Sequence, residues 1–350
     1  MSRVAVVLLN YNGFHLLQKY LPIVAQHHAQ QDIYIVDNAS TDKSIQWVKQ
    51  HFPHVHIIQN AVNYGFAKGY NEGLKHIQAE YYVLMNNDVR TTQGWLDNII
   101  EFMDKHSDVA VCMPKLLDDK NPEMFEYAGA SGGFVDVLGY PLCRGRVFLA
   151  LEKDEHQYDD IQEIFWATGA CMVVRSSVFW EVGGFDDDFF AHMEEIDLCW
   201  RIKNIGKKVY VIPSSVVYHL GGGTLNKINP HKTYLNFRNS LLTLIKNHPY
   251  NYLFLKIILR LILDGVAGIK FLLEGNGKHT IAVIQAHFYV YRYFRKFWIK
   301  RKSFEKQHKV KYIFHPIIKQ SIVIQYYLLG KERFLELKVE FNNFALNKTK

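Results

Sequence analysis

Along the first hundred residues, short apolar runs alternate with stretches in which apolar residues recur every three or four positions. Residues 4–9, 33–36, 55–59, 81–85 and 109–113 read as strands, and 14–27, 42–51, 66–77 and 93–105 as helices. This order builds right-handed β-α-β crossovers, so the expected class is α/β, with a mostly parallel sheet flanked by helices. The run Tyr81-Tyr82-Val83-Leu84-Met85 breaks off at Asn86-Asn87-Asp88. In open α/β sheets ligands sit outside the carboxyl ends of the strands. Asp88 is therefore placed either to hold a hard divalent cation beside phosphates or simply to form a turn. The second strand runs into Asp37-Asn38-Ala39-Ser40-Thr41-Asp42. A carboxylate there accepts from a nucleobase N–H or a ribose hydroxyl, although turn and cap chemistry uses the same residues. The loop after the first strand, Asn10-Tyr11-Asn12-Gly13, lacks the glycines of a dinucleotide fingerprint.

Periodicity is lost over residues 115–165, which hold Gly129, Gly132, Gly133, Gly139 and Gly145 and then an acidic run. We read a long excursion with short strands and a mobile, functional loop. Order returns with a strand over 166–175 and a short helix over 176–182. Glu194-Glu195-Ile196-Asp197 opens the next helix, with its acids in the first turn, where they complement the helix dipole. Glu194, Asp197 and Arg201 share one face, so Arg201 is set to pair with Asp197 or to touch phosphate. Strands over 208–212 and 216–218 end at His219 and the run Gly221-Gly222-Gly223. His51, His54 and His56 bracket a short strand behind Pro53, a poor zinc arrangement.

Charge divides the chain. Residues 1–223 carry 18 Lys and Arg against 28 Asp and Glu, whereas residues 224–350 carry 23 against 6. The four cysteines are widely spaced with no C-x-x-C pair, which excludes a zinc knuckle and fits buried thiols in a reducing compartment. Six apolar residues before Asn10 are too few for a secretory signal core, so a cytoplasmic protein is expected.

The stretches Asn10-Tyr11-Asn12, Val36 to Asp42, Asn63-x-Gly65-Phe66-Ala67-x-Gly69-x-Asn71, Asn86-Asn87-Asp88, Gly183-Gly184-Phe185-Asp186, Glu194-Glu195-x-Asp197 and His219 resemble, in order and spacing, family 2 glycosyltransferases of the GT-A fold. The likeness covers residues 1–223 and is nearest the bacterial rhamnosyltransferase-like branch. It implies inverting transfer of a sugar, possibly rhamnose, from a UDP- or dTDP-sugar to a hydroxyl of a lipid-linked glycan, with Mg²⁺ or Mn²⁺. The nucleotide sugar would meet Asn10, Tyr11, Asn12, Asp37, Asn38, Asn63, Gly65, Lys68, Asn71, Asn87 and Asp88. Tyr11 would lie against the base, with Asp37 in hydrogen-bonding reach of it. Asp88 and His219 would hold the metal, Trp166 and Gly169 would meet the acceptor, and Glu195 or its neighbour Glu194 would be the base. A non-catalytic scaffold that binds nucleotide sugars is the alternative. A nucleotidyltransferase would need a basic, glycine-rich triphosphate loop, which is missing after the first strand.

In the basic half, residues 252–273 are nearly all apolar, yet Lys256, Arg260 and Asp264 recur every four residues. Such a helix is expected to lie in a membrane interface rather than cross it. Over residues 289–312 nine Lys and Arg are interleaved with aromatic residues, which suits anionic lipid headgroups better than nucleic acid beside this catalytic half. The expected layout is a catalytic domain, 1–223, and a basic, helical, membrane-associating region, 224–350, held peripherally on the cytoplasmic face of the inner membrane.

Overall fold

The computed structural model describes residues 2–221 and 229–340. The expected boundary at 223/224 lies outside the described residues, as do Gly222 and Gly223. The chain runs β1 (Ser2–Asn10), α1 (Phe14–His27), β2 (Asp32–Asp37), α2 (Ser44–His51), β3 (His56–Gln59), α3 (Gly65–Leu74), β4 (Ala79–Asn86), β5 (Val89–Thr91), α4 (Trp95–Lys105) and β6 (Val109–Asp118). Four short strands follow, β7 (Gly133–Asp136), β8 (Pro141–Cys143), β9 (Arg146–Val147) and β10 (Ala150–Leu151), then β11 (Gln162–Glu163) and β12 (Cys171–Arg175). Next come α5 (Ser176–Glu181), α6 (Glu194–Asn204), β13 (Lys208–His219), α7 (Pro230–Asn247), α8 (Leu253–Leu273) and α9 (Gly277–Gln307). The described chain closes with β14 (Ile317–Ile318), α10 (Ile322–Tyr327) and β15 (Val339–Glu340).

The main sheet has the order β11-β13-β6-β12-β4-β1-β2-β3, with β5 on β13. β1, β2, β3 and β4 pair in parallel, as do β6 and β13, while β12 is inserted antiparallel between β4 and β6. The uninterrupted apolar runs of β1 and β4 are buried, as strands covered on both faces require. Helix α3 packs close on β2: a Cβ at Gly73 would lie 2.3 Å from Val36, so no larger residue fits there. β13 is one strand in which residues 213–215 bulge, splitting its apolar pattern in two.

Register brings the carboxyl ends together. Asn10 lies opposite Asp37, Leu9 opposite Asn86, and His219 opposite Val89, one residue from Asp88.

Residues 115–165 are not a structureless excursion. β7 to β10 form a second sheet completed by β14, which pairs in parallel with β7, and by β15. Phe125, Phe134, Leu142, Cys143 and Val147 are buried beneath it. The completing strand comes from nearly two hundred residues downstream, so no local pattern announces the sheet.

The helical region is bolted to the catalytic half by buried ion pairs. Lys246 of α7 lies 2.6 Å from Asp186 and 2.7 Å from Asp197, and Lys300 of α9 reaches Asp186 and Asp188. Arg201 pairs with Asp197 at 2.8 Å, the helix salt bridge rather than a phosphate contact. The polar stripe of α8 exists but faces inward. Arg260 and Asp264 are 2% and 1% exposed, and Arg260 donates to the Leu138 carbonyl at 3.1 Å and to Ser240 at 2.6 Å. Among the described residues no helix is long and apolar enough to cross a membrane.

Candidate active site

Three strand ends build one corner. The Asn10 amide faces Asp37 Oδ1 at 3.0 Å and the hydroxyls of Ser40 and Ser44 at 3.1 Å, and its carbonyl accepts from Asn87 at 2.8 Å. Asp37 is wholly enclosed and also accepts from the Ser40 N–H at 3.0 Å, so its carboxylate orders the loop. Asn12, at φ 48°, accepts from the Thr41 N–H at 2.8 Å. Asn38 donates to the Gly65 carbonyl and accepts from Asn60, both at 2.8 Å, and Asn63 caps the Gly65 N–H at 2.9 Å. Two groups in this corner stand open: the Tyr11 ring, 43% exposed, and the half-buried Lys68 ammonium, 4.4 Å over the Tyr64 ring.

Next to this corner, His219 lies between two carboxylates. Its Nε2 is 3.0 Å from Asp88 Oδ1 and its Nδ1 is 3.0 Å from Glu126 Oε1. Burial opposes charge on the imidazole, but Glu126 and Asp88 outweigh it and raise its pKa well above the ordinary value. Metal-binding histidines characteristically give their second ring nitrogen to a carboxylate, which fixes tautomer and orientation. Here the Glu126 carboxylate lies 3.0 Å from Nδ1 without the alignment of a hydrogen bond, and with its proton displaced Nε2 would join Asp88 in presenting a nitrogen and an oxygen donor to one point, a donor set that fits Mg²⁺ or Mn²⁺.

On the other side, the segment leading into α6 is strained. Phe190, His192 and Met193 all have positive φ, between 63° and 71°, a left-handed conformation uncommon for such side chains. The Phe190 carbonyl accepts from the Phe66 N–H at 2.7 Å, and a Cβ at Gly65, itself at φ +76°, would strike the Phe190 ring. Helix α7 holds this segment from behind. Asn239 donates to the carbonyls of Phe189, Ala191 and His192 at 3.0, 3.0 and 2.7 Å, and Arg238 to those of Asp188 and Phe189 at 3.0 and 2.9 Å. His192 Nε2, Glu194 Oε2 and Glu195 Oε2 are all enclosed without a hydrogen-bond partner. Burial pushes the Glu195 carboxyl up to about 7, although backbone N–H groups at the start of α6 draw it down. Glu194 is raised well above the carboxylate range by deeper burial and by Glu195 beside it. Burial thus raises two neighbouring carboxyls at the start of α6, the kind of perturbation that gathers at functional sites.

Not every expected residue faces this cleft. Asn71 donates to the Phe185 carbonyl at 2.8 Å and to Asp187 at 2.7 Å, bracing the turn before the strained segment. Trp166 is buried and its indole N–H is bonded to the Phe134 carbonyl at 2.9 Å, so it supports the small sheet and presents no free face to an acceptor. Gly169 is buried too, and a Cβ there would lie 3.0 Å from Phe66. A cavity of about 500 Å³ opens between Asn71, Trp180, Lys246 and Arg301, and none of Asp37, Asp88, Glu195 or His219 lines it. Asp154, His156 and Asp159 cluster closely enough for a metal, but Lys115 already lies 2.7 Å from both carboxylates. The sequence reading missed Glu126, Arg238 and Asn239, and also Arg146 of β9, a buried guanidinium with an unpartnered Nε. Glu126, Arg238 and Asn239 join the site only through long-range contacts, which leave no local signal in the sequence.

Residues 5–183 match the family model of glycosyl transferase family 2, and the chain belongs to that family. It is therefore a glycosyltransferase, with the α/β architecture expected. The N-acetylglucosaminyl-diphospho-decaprenol L-rhamnosyltransferase of Mycobacterium tuberculosis is 24% identical over 71% of this chain and 83% of its own. The dTDP-rhamnosyl transferase RfbF of Shigella flexneri is 24% identical over 71% of this chain and 81% of its own. Among solved structures, the mannosyltransferase PcManGT of Pyrobaculum calidifontis, in complex with GDP-Man and Mn²⁺, superposes with a TM-score of 0.51 at 15% identity, over 87% of this chain and 86% of that one. That likeness concerns the fold.

Proposed function

We propose that this glycosyltransferase moves a deoxyhexose, rhamnose first among the candidates, from a dTDP- or UDP-sugar to a hydroxyl of a lipid-linked glycan, with inversion at the anomeric carbon. The observation that carries the reading is Glu195: a half-buried carboxylate at the start of α6, with an unpartnered oxygen and a pKa lifted to about 7, is a general base matched to neutral pH. Glu194, 4% exposed, is held well above the usual carboxylate value by burial and by Glu195 beside it.

The acceptor O–H gives its proton to Glu195 as its oxygen bonds the anomeric carbon. The bond from that carbon to the diphosphate breaks on the opposite face, and the nucleoside diphosphate leaves. Mg²⁺ or Mn²⁺, held by Asp88 and His219, would supply positive charge to the departing diphosphate. Glu126 keeps His219 oriented, Lys68 adds a cation beside the phosphates, and the Tyr11 ring stacks on the base. Asp37, Asn10, Asn12, Asn38, Asn63, Gly65 and Asn87 hold the loops that shape the donor corner. Residues 1–223 carry the chemistry, and residues 224–350 hold the enzyme peripherally on the anionic cytoplasmic face of the inner membrane. The relatives' activities, rhamnosyl transfer in both and a diphospho-decaprenol acceptor in one, support this choice of donor and acceptor.

Calorimetry with dTDP-rhamnose, UDP- and GDP-sugars, each with Mn²⁺ and with chelator, tests the reading. Metal-dependent binding of one donor that Asp88→Ala abolishes is expected. Binding that neither chelator nor Asp88→Ala weakens would overturn the metal assignment, and binding of none of the donors would overturn the donor class.

A further inference from the structure

Helix α8 is inside out. Its buried positions are Leu253, Arg260, Asp264 and Gly268, two of them charged, and its outward positions are apolar. Leu255, Ile262 and Ile269 are 52%, 58% and 61% exposed, with Ile258, Leu259 and Val266 between them also open. Burying a polar face and exposing an apolar one is the reverse of a water-facing helix and leaves a contiguous patch that demands a cover. The inward polar groups are held by the protein: besides the two Arg260 bonds above, the Tyr140 hydroxyl donates to Asp264 at 3.3 Å, the Arg260 guanidinium lies 3.7 Å over the Tyr140 ring, and only its Nε lacks a hydrogen-bond partner, 3.9 Å from Asp264. The helix is therefore fixed flat on the molecule with its apolar side out.

The patch continues beyond α8. Lys270 lies 4.9 Å over the Tyr327 ring of α10, and Phe148 packs on Tyr326 and Tyr327 at 5.1 and 5.3 Å between centroids. Leu149, Leu328 and Leu329 stand exposed around this junction. Phe148 and Leu149 form the turn between β9 and β10, and the Arg146 guanidinium of β9 is buried against Cys143 and the Tyr127 ring. The patch thus runs from α8 across α10 to the β9–β10 turn. Along its other margin α9 lies beside α8, with Phe254 5.9 Å from Trp298, and offers exposed Arg292, Arg295, Lys302 and Lys306.

We propose that the outward face of α8, together with α10 and the β9–β10 turn, docks into the interface of an anionic lipid bilayer. An apolar ridge bordered by cations is complementary to acyl chains beneath anionic headgroups. A water-soluble partner would meet the cations without any use for so broad an apolar ridge. The inference rests on the proposed lipid-linked acceptor and deepens it, by naming the face through which the enzyme meets the membrane that carries that acceptor.

The test is co-sedimentation of the full chain with vesicles of phosphatidylglycerol and phosphatidylethanolamine, for the native protein and for the triple variant Leu255→Glu, Ile262→Glu, Ile269→Glu. These side chains point away from the protein, so the variant keeps its fold. Partitioning is expected to fall ~100-fold or more in the variant, with donor affinity and transfer to a short, water-soluble acceptor unchanged. Vesicle binding equal to the native protein's would overturn the proposal. So would a native chain that ignores vesicles and sediments as a dimer that the variant splits, since the ridge would then cover a second copy. Vesicle binding, lost in the variant, by a chain that binds no donor would support the docked face while counting against the proposed function.

Discussion

The two walls of the cleft are built differently. On the proposed donor side the polar groups are closed on one another: Asp37, Asn10, Ser40 and Asn38 exchange hydrogen bonds, and the left-handed residues Asn12 and Ala39 sit within that network. On the proposed acceptor side Phe190, His192 and Met193 also take left-handed backbone, but His192, Glu194 and Glu195 each leave a buried polar atom unpaired. Unsatisfied buried groups and strained backbone are costly, and they persist where the surroundings over-determine them. Here the surroundings are α7, through Arg238 and Asn239, and the Lys246 ion pairs. The first wall is closed on itself, whereas the second, the proposed acceptor wall, is braced by the helical region.

The sharpest way to break this contrast is Glu195→Gln, which should lower transfer by about 10²–10⁴-fold with donor affinity unchanged. Replacing the clamp comes next. Asn239→Ala removes three hydrogen bonds to the strained segment. Transfer should drop about 100-fold for a misplaced base while donor binding is spared. Equal losses of both would make Asn239 a general stabiliser. Lys246→Met removes the cation shared by Asp186 and Asp197 while Lys300 and Arg201 remain on them, so the expected cost in chemical denaturation lies below the ~3–5 kcal/mol of an unpaired buried charge. Adding Asp197→Asn should recover part of it.

The acid–base assignment gives a smaller, graded effect. Because burial raises the Glu195 carboxyl to about 7 and its anion is the proposed base, single-turnover rates at saturating donor and metal should fall with decreasing pH. The slope should approach about tenfold per pH unit below that value, with a plateau above. A pH-independent rate would remove Glu195 from proton transfer.

The donor wall was legible in the sequence because its residues sit at the ends of strands whose apolar runs mark themselves. Helix α1, Phe14–His27, was readable to its ends, and Asp88 followed from the break after Met85. The acceptor wall was legible only in part. Glu194 and Glu195 stood out at a helix start, but Glu126 reaches His219 from the region without periodicity, and Arg238 and Asn239 reach the strained segment from α7. Long-range closure leaves no local trace. The second sheet escaped for the same reason, since β14 completes it from far downstream. In α8 the period was readable but the facing was not: a stripe of Arg260 and Asp264 looks the same toward water or protein, and only their partners Leu138, Ser240 and Tyr140 decide.

The most direct measurement of the central claim is single-turnover transfer by the native enzyme, Glu195→Gln and Glu194→Gln, with dTDP-rhamnose and a short-chain prenyl diphosphate-linked N-acetylglucosamine acceptor. The account predicts product of inverted anomeric configuration from the native enzyme, its loss in Glu195→Gln with donor still bound, and a much milder effect of Glu194→Gln. Full transfer by Glu195→Gln, or loss confined to Glu194→Gln, would contradict it.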